Sequence, residues 1–150
     1  MSRIEPVTVD SFDTFFELVC ALADYEKLQR PSNEARLRLT NDIVGDAPKI
    51  EAFLIYAADG IAVGYAIILE TYSSFLALPT LYLEDIFILE THRGMGLGSK
   101  LFDHIVELAR SRGCGRVDWQ VLDWNTPARE FYERKGADCM SEWLLCRITL

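Results

Sequence analysis

A mixed α/β fold, one sheet with helices on its faces, is what these 150 residues predict. Two features carry that prediction. Short β-rich apolar runs alternate with segments of helical period, and a stretch with glycine at every second position (Gly94, Gly96, Gly98) joins one such run to a helix. Half the residues are hydrophobic and 11% are aromatic, so a sizeable core can form, and the length suits one domain over residues 1–150.

Taken in order, Arg3 to Val7 reads as a short strand. Asp10 or Ser11 can cap a helix whose apolar positions Phe12, Phe15, Phe16, Val19 and Leu22 keep helical spacing. Pro31-Ser32-Asn33 interrupts, and a weaker helix runs from Asn33 to about Val44. After the loop Gly45 to Pro48, Ile50 to Ala58 and Ile61 to Glu70 read as strands around Asp59-Gly60, a two-residue hairpin signal. Leu81 to Leu89 is a third strand of this group. The glycine loop follows, then a helix with inner stripe Leu97, Leu101, Ile105 and Leu108, stopped by Gly113. Arg116 to Leu122 is the next strand. Thr126 as cap and Pro127 at the first position start a helix that ends near Lys135, with Gly136 as its stop. Cys139 to Leu150 supplies one or two final strands, for six to seven strands and about four helices.

Composition excludes several functions. The formal net charge is −8, from 15 basic and 23 acidic residues, which argues against nucleic acid as the main partner and suits cationic ones. Acidity that only keeps the chain soluble is the plainer alternative. No apolar run nears the ~20 residues of a membrane span, and the first residues lack the apolar core of a secretory signal, so a cytoplasmic location is expected. Cys20, Cys114, Cys139 and Cys146 form no CxxC, and His92 and His104 stand apart; reduced, packed thiols and no metal site are expected.

The loop Arg93-Gly94-Met95-Gly96-Leu97-Gly98-Ser99 sits between strand and helix, where missing side chains and a helix N-terminus suit a pyrophosphate. Two common phosphate motifs fail. A Walker A loop needs glycine before its lysine, and Ser99 precedes Lys100; a dinucleotide fingerprint starting at Gly94 needs glycine at position 99. The pattern R-x-x-G-x-G, met by Arg93, Gly96 and Gly98, resembles instead the acyl-CoA loop of the GNAT N-acetyltransferases. A second motif typical of that superfamily, Asn125-x-x-Ala-x-x-Phe-Tyr132-x-x-x-Gly136, lies about thirty residues on. "LYLEDIFI", "DWNTPAREFYERKGA" and "LADYEKL" further resemble the diamine (spermidine/spermine-type) and thialysine acetyltransferase branch.

The resemblance implies a GNAT-like, largely antiparallel twisted sheet, acetyl-CoA as cosubstrate, a small cationic amine as acceptor (polyamine, diamine or thialysine-like amino acid), and a homodimer. A peptide acceptor and a silent CoA-binding regulator are the alternatives. It assigns coenzyme contacts to Ile86, Phe87 and Ile88 on the strand, to Arg93, Gly94, Met95, Gly96, Leu97, Gly98 and Ser99 in the loop, and to Asn125 and Arg134 beyond. Tyr25 and Glu26 match residues that contact the amine; an ordinary solvated helix end is the other reading.

Transfer to an amine makes three chemical demands. A lysine-like ammonium of pKa ~10.4 leaves on the order of one molecule in a thousand neutral at pH 7, so a proton must be removed. The developing oxyanion needs donors, and the leaving thiolate gains from a proton. The resemblance gives Glu84 the first role, through water, backbone N–H groups of Ile86 to Ile88 the second, and Tyr132 the third. Strand alternation sets neighbouring Asp85 on the opposite face from Glu84. Glu84 on a solvent face and Tyr132 as a core aromatic are the structural alternatives. No cysteine sits beside a plausible base, which fits direct transfer without an acyl-enzyme; Cys114 and Cys139 read as packing residues.

Overall fold

A computed structural model describes all residues, Met1–Leu150. The chain forms two compact units, Met1–Trp119 and Gln120–Leu150. In the first, β1 (Arg3–Pro6), α1 (Phe12–Tyr25), α2 (Asn33–Val44), β2 (Glu51–Tyr56), β3 (Ala62–Ser73), β4 (Leu78–Ile88), α3 (Leu97–Ser111) and β5 (Arg116–Trp119) follow in order, with a 3₁₀ turn at Glu90–His92. The second holds α4 (Thr126–Arg134). The four expected helices are present, and the expected element order holds as far as α4.

The strands form one mixed sheet in the order β1-β2-β3-β4-β5. The first three pairings are antiparallel and β4–β5 is parallel, which requires the crossover that α3 supplies. One face is covered by α1. Phe12, Phe15 and Leu18, at helical spacing, are buried with Leu54, Tyr65, Ile67 and Phe87. The Phe15 and Tyr65 rings meet edge-on, 5.2 Å apart. Burial of each such side chain stabilises by roughly 1.5–3 kcal/mol. The other face packs α3 through Leu97, Leu101, Phe102, Ile105 and Ala109; Leu108, expected in that stripe, is only half-buried.

The strand count corrects the expected six to seven to five. Asp138–Leu150 carries no strand, because β-rich composition needs a neighbouring strand to pair with and the second unit offers none. Cys139, expected to pack, is exposed in that segment, as is Cys146, whereas Cys20 and Cys114 are half-buried. β5 stops at Trp119, short of Leu122, because its ladder with β4 ends at Leu83. β3 and β4 are longer than expected and pair through Ser73 and Leu78, leaving a tight tip with Phe75 fully exposed.

Turn and cap chemistry accounts for smaller differences. The β2–β3 connection has three residues, Ala58 to Gly60: the Ala57 amide donates to the Ile61 carbonyl, and Gly60 takes φ +84°. Ser11 does not cap α1 with its side chain; its hydroxyl accepts from the Thr8 amide at 2.9 Å while Thr8 Oγ1 accepts from the Ser11 amide, a reciprocal box one turn earlier. In α4 the cap is Asn125 rather than Thr126, its side chain accepting from the Ala128 amide at 3.3 Å. No helix is long and apolar enough to cross a membrane.

Candidate active site

The site in the first unit is built where β4 runs out. Pairing of β4 with β3 shifts register between Ile67 and Ile68: Asp85 lies opposite Ile67 and Leu83 opposite Ile68. Glu84 is therefore the extra residue of a β-bulge, a device that bends a strand and re-aims its side chains. Past Leu83, β4 continues to Ile88 bonded to β3, while its ladder with β5 has ended.

Which amides then point to the open edge follows from alternation. The Leu89 amide donates to Val63 of β3 at 2.8 Å. In an antiparallel ladder every second residue bonds the same neighbour, so Phe87 and Asp85 also face β3, and the backbone groups of Ile86 and Ile88 face outward. One outward group is already taken. The Ile88 carbonyl accepts from Arg93 Nε at 2.9 Å. Of the three residues expected to offer backbone donors, Ile86 and Ile88 have amides directed away from β3; Phe87 instead buries its ring on the α1 face.

The glycine loop reaches α3 with two left-handed residues, Gly94 at φ +76° and Gly96 at φ +79°. An L side chain is strained in that conformation, although a Cβ at either would meet nothing within 4 Å. Gly98 differs. Its backbone is ordinary helix, and a Cβ would touch only Ile88 Cγ1 at 3.6 Å, so the fold itself does not demand glycine there. Unlike α2, which Ser32 caps, α3 has no side-chain cap and no acidic residue in its first turn. A helix start without its own anion, approached over three positions lacking side chains, fits a coenzyme's diphosphate. Leu97 anchors the turn by burial, Ser99 is half-buried, and Met95 is exposed.

The amine-facing candidates gather on the α1 side. Tyr25 ends α1 and Glu26 is its C-cap; both are half-buried, and burial raises the Glu26 carboxyl above the usual range. The Tyr25 ring lies 6.3 Å from that of Phe87, and the Arg93 guanidinium sits over it, 4.5 Å from its centre. Arg93 thus points toward α1. Glu84 is exposed at the bulge.

Sequence reasoning missed Asp85. Tyr65 Oη donates to Asp85 Oδ2 at 2.9 Å. Burial pushes the Asp85 carboxyl up to about 6; the Tyr65 hydrogen bond opposes that rise, and the charges of Glu84 and Glu26 add to it. Burial, with the adjacent Asp85 charge, raises the Tyr65 phenol too, keeping it a donor. The alternation argument that set Asp85 aside assumed an unbroken ladder, which the bulge breaks. The signal available was Asp85 itself, an acid inside an apolar strand two residues before a core phenylalanine.

In the second unit, Tyr132 is buried on α4, its ring 5.4 Å from Phe131, Asn125 caps the helix, and Arg134 is exposed.

Comparison with known proteins bears on the family and the fold. Residues 14–137 match the Acetyltransferase (GNAT) family. The chain is similar to an L-ornithine N5-acetyltransferase of Arabidopsis thaliana, 40% identical over 109 residues, which are 72% of this chain and 48% of that protein, so it spans about half of that relative's length. It is also similar to a thialysine N-epsilon-acetyltransferase of Bos taurus, 33% identical over 132 residues, 83% of this chain and 77% of the relative. A crystal structure described as a probable acetyltransferase shares the fold, with a TM-score of 0.85 at 19% identity over 99% of this chain and 97% of that one. The chain belongs to the GNAT acetyltransferase family.

Proposed function

We propose that the protein transfers an acetyl group from acetyl-CoA directly to a primary amine of a small cationic acceptor, in a ternary complex. The observation that carries this reading is the uncapped, glycine-led start of α3 beside the stretch of β4 that has left β5. Gly94, Met95, Gly96, Leu97, Gly98 and Ser99 hold the diphosphate with backbone groups. The outward amides of Ile86 and Ile88 receive the pantetheine arm and the acetyl oxygen. Asn125 and Arg134 add contacts to the arm and phosphates, and Tyr132 protonates the departing thiolate.

Glu26 and Asp85, with Glu84 at the bulge, make the α1 side suited to an ammonium group. Glu84 takes the amine's proton through water. Among acceptors, the side-chain amine of a diamino acid is favoured, because two relatives are named for ornithine and thialysine; polyamines share the same terminal amine. The exposed Trp143, Leu144 and Ile148 would suit a homodimer contact, and a cytoplasmic location fits small-metabolite acetylation.

A thiol-release assay with acetyl-CoA against ornithine, thialysine, lysine, spermidine and a basic peptide tests the reading. Turnover is expected with one or more of the small amines. Turnover with the peptide alone would replace the acceptor class; coenzyme A binding without turnover on any amine would favour a silent regulator.

A further inference from the structure

The side chain of Arg93 does not follow the loop it opens. It turns back across the end of β4, donating from Nε to the Ile88 carbonyl at 2.9 Å, and lays its guanidinium against two neighbouring rings, 4.5 Å from the centre of Tyr25 and 5.6 Å from that of Phe87. Phe87 belongs to the core covered by α1, whereas Ile88 lies beneath Gly98 on the α3 side. One guanidinium therefore touches the last residue of β4 and the last residue of α1.

The end of α1 needs such a hold. Lys27, a residue with a side chain, is left-handed there at φ +58°, and the Leu28 amide closes the turn onto the Ala23 carbonyl at 2.8 Å. A non-glycine residue in that conformation costs roughly 1 kcal/mol and persists only where surrounding contacts over-determine it. Tyr25 and Glu26 occupy the two positions just before it.

We propose that Arg93 is a positioning residue, a clasp that fixes the Tyr25–Glu26 end of α1 against the end of β4 and so ties the acceptor side to the coenzyme loop. The role of the clasp in turnover rests on the acetyl-transfer reading above; its mechanical role does not. Loss of the guanidinium loosens both sides. The loop loses its tether to Ile88, and the helix end loses a cation held over its aromatic ring.

The test uses Arg93→Gln, Arg93→Lys and Tyr25→Leu, alone and with Arg93→Gln combined with Tyr25→Leu. Amide hydrogen exchange over Leu22–Leu28, measured without any ligand, is expected to quicken about two- to tenfold in Arg93→Gln, the range a partly exposed cation–π contact sets. Arg93→Lys, which keeps the cation, should recover part of that protection. In kinetics, Arg93→Gln should raise the KM for the amine as well as for acetyl-CoA, and its effect on the amine KM should vanish in the Tyr25→Leu background. Unchanged exchange at Leu22–Leu28 overturns the clasp, whatever the enzyme proves to acetylate. So does a rise in the acetyl-CoA KM alone, the signature of a plain phosphate ligand, or independent effects of Arg93 and Tyr25 on the amine KM. If no amine is acetylated, quickened exchange still supports the clasp, and the failure falls on the acetyl-transfer reading.

Discussion

Tyr65 and Asp85 form a hydrogen-bonded pair between adjacent strands, phenol to carboxylate at 2.9 Å, with the phenol fully buried and the acid half-buried. They are not directly opposite in the ladder, since Tyr65 faces Phe87 and Asp85 faces Ile67. Burial, against the opposing Tyr65 hydrogen bond, pushes this carboxyl up to about 6 at the edge of the proposed amine site, a position suited to accepting or countering a proton near physiological pH.

The burial of Asp85 makes stability depend on pH in a defined direction. The folded carboxyl is pushed up to about 6, from an ordinary value of 3.8. Below pH 3.8 both folded and unfolded states hold the proton and nothing is lost. As pH rises toward 6 the unfolded chain ionises first, and stability falls by about 3 kcal/mol in all. Asp85→Asn should therefore raise Tm at pH 7.5 and match the parent below pH 4 in thermal denaturation followed by circular dichroism. Activity should drop, and any acidic limb of the rate profile near pH 6 should disappear. A variant less stable than the parent at pH 7.5 would mean that the carboxylate contributes to holding the fold.

Tyr132→Phe should lower kcat tenfold or more while coenzyme A affinity, read by calorimetry, stays within a few-fold; the usual general-acid contribution is ~10²–10⁴. Unaltered turnover would remove Tyr132 from the chemistry. Glu84→Gln should be most damaging near neutral pH and recover partly in alkali, where free amine is more abundant. A deficit constant across pH would make Glu84 a binding residue only.

Gly98→Ala separates ligand binding from folding. Its Cβ would meet only Ile88 Cγ1, at ordinary contact distance, and alanine is the better helix former by up to ~1 kcal/mol. Tm should hold or rise while coenzyme A binding weakens tenfold or more. Gly96→Ala, at φ +79°, should lose both stability and binding. Equal coenzyme affinity in Gly98→Ala and parent would show that nothing approaches that backbone.

Gly64 is constrained for another reason. A Cβ there would lie 2.5 Å from both the Phe87 carbonyl oxygen and Ile88 Cδ1, and the first is backbone that cannot step aside. Gly64→Ala should cost about 1–3 kcal/mol in urea unfolding and displace the end of β4. A neutral result would show that β3 and β4 separate there more easily than their close approach suggests.

Much of this was readable from residues alone. The amphipathic period of α1 and α3, the stop at Gly113 and the glycine loop are local signals, and local signals survive into the fold. Strand ends were not readable, because a strand ends where its neighbour leaves it: β5 stops with the ladder at Leu83, and Cys139 to Leu150 has β-like composition without a partner. Asp85 was missed for a related reason, since side-chain direction past an insertion depends on pairing across to Ile67 and Ile68. The course of Arg93 toward Tyr25 joins positions 68 residues apart in sequence, which no spacing rule connects.

The extra residue at Glu84 also separates what the fold needs from what the site needs. Without it, Leu83 opposite Ile68 and Asp85 opposite Ile67 would run on as consecutive rungs, with Leu81 and Leu83 still turned to the interior. A single-codon deletion there should thus leave the interior intact while straightening the strand, and such a chain would forfeit its chemistry before it forfeited its fold.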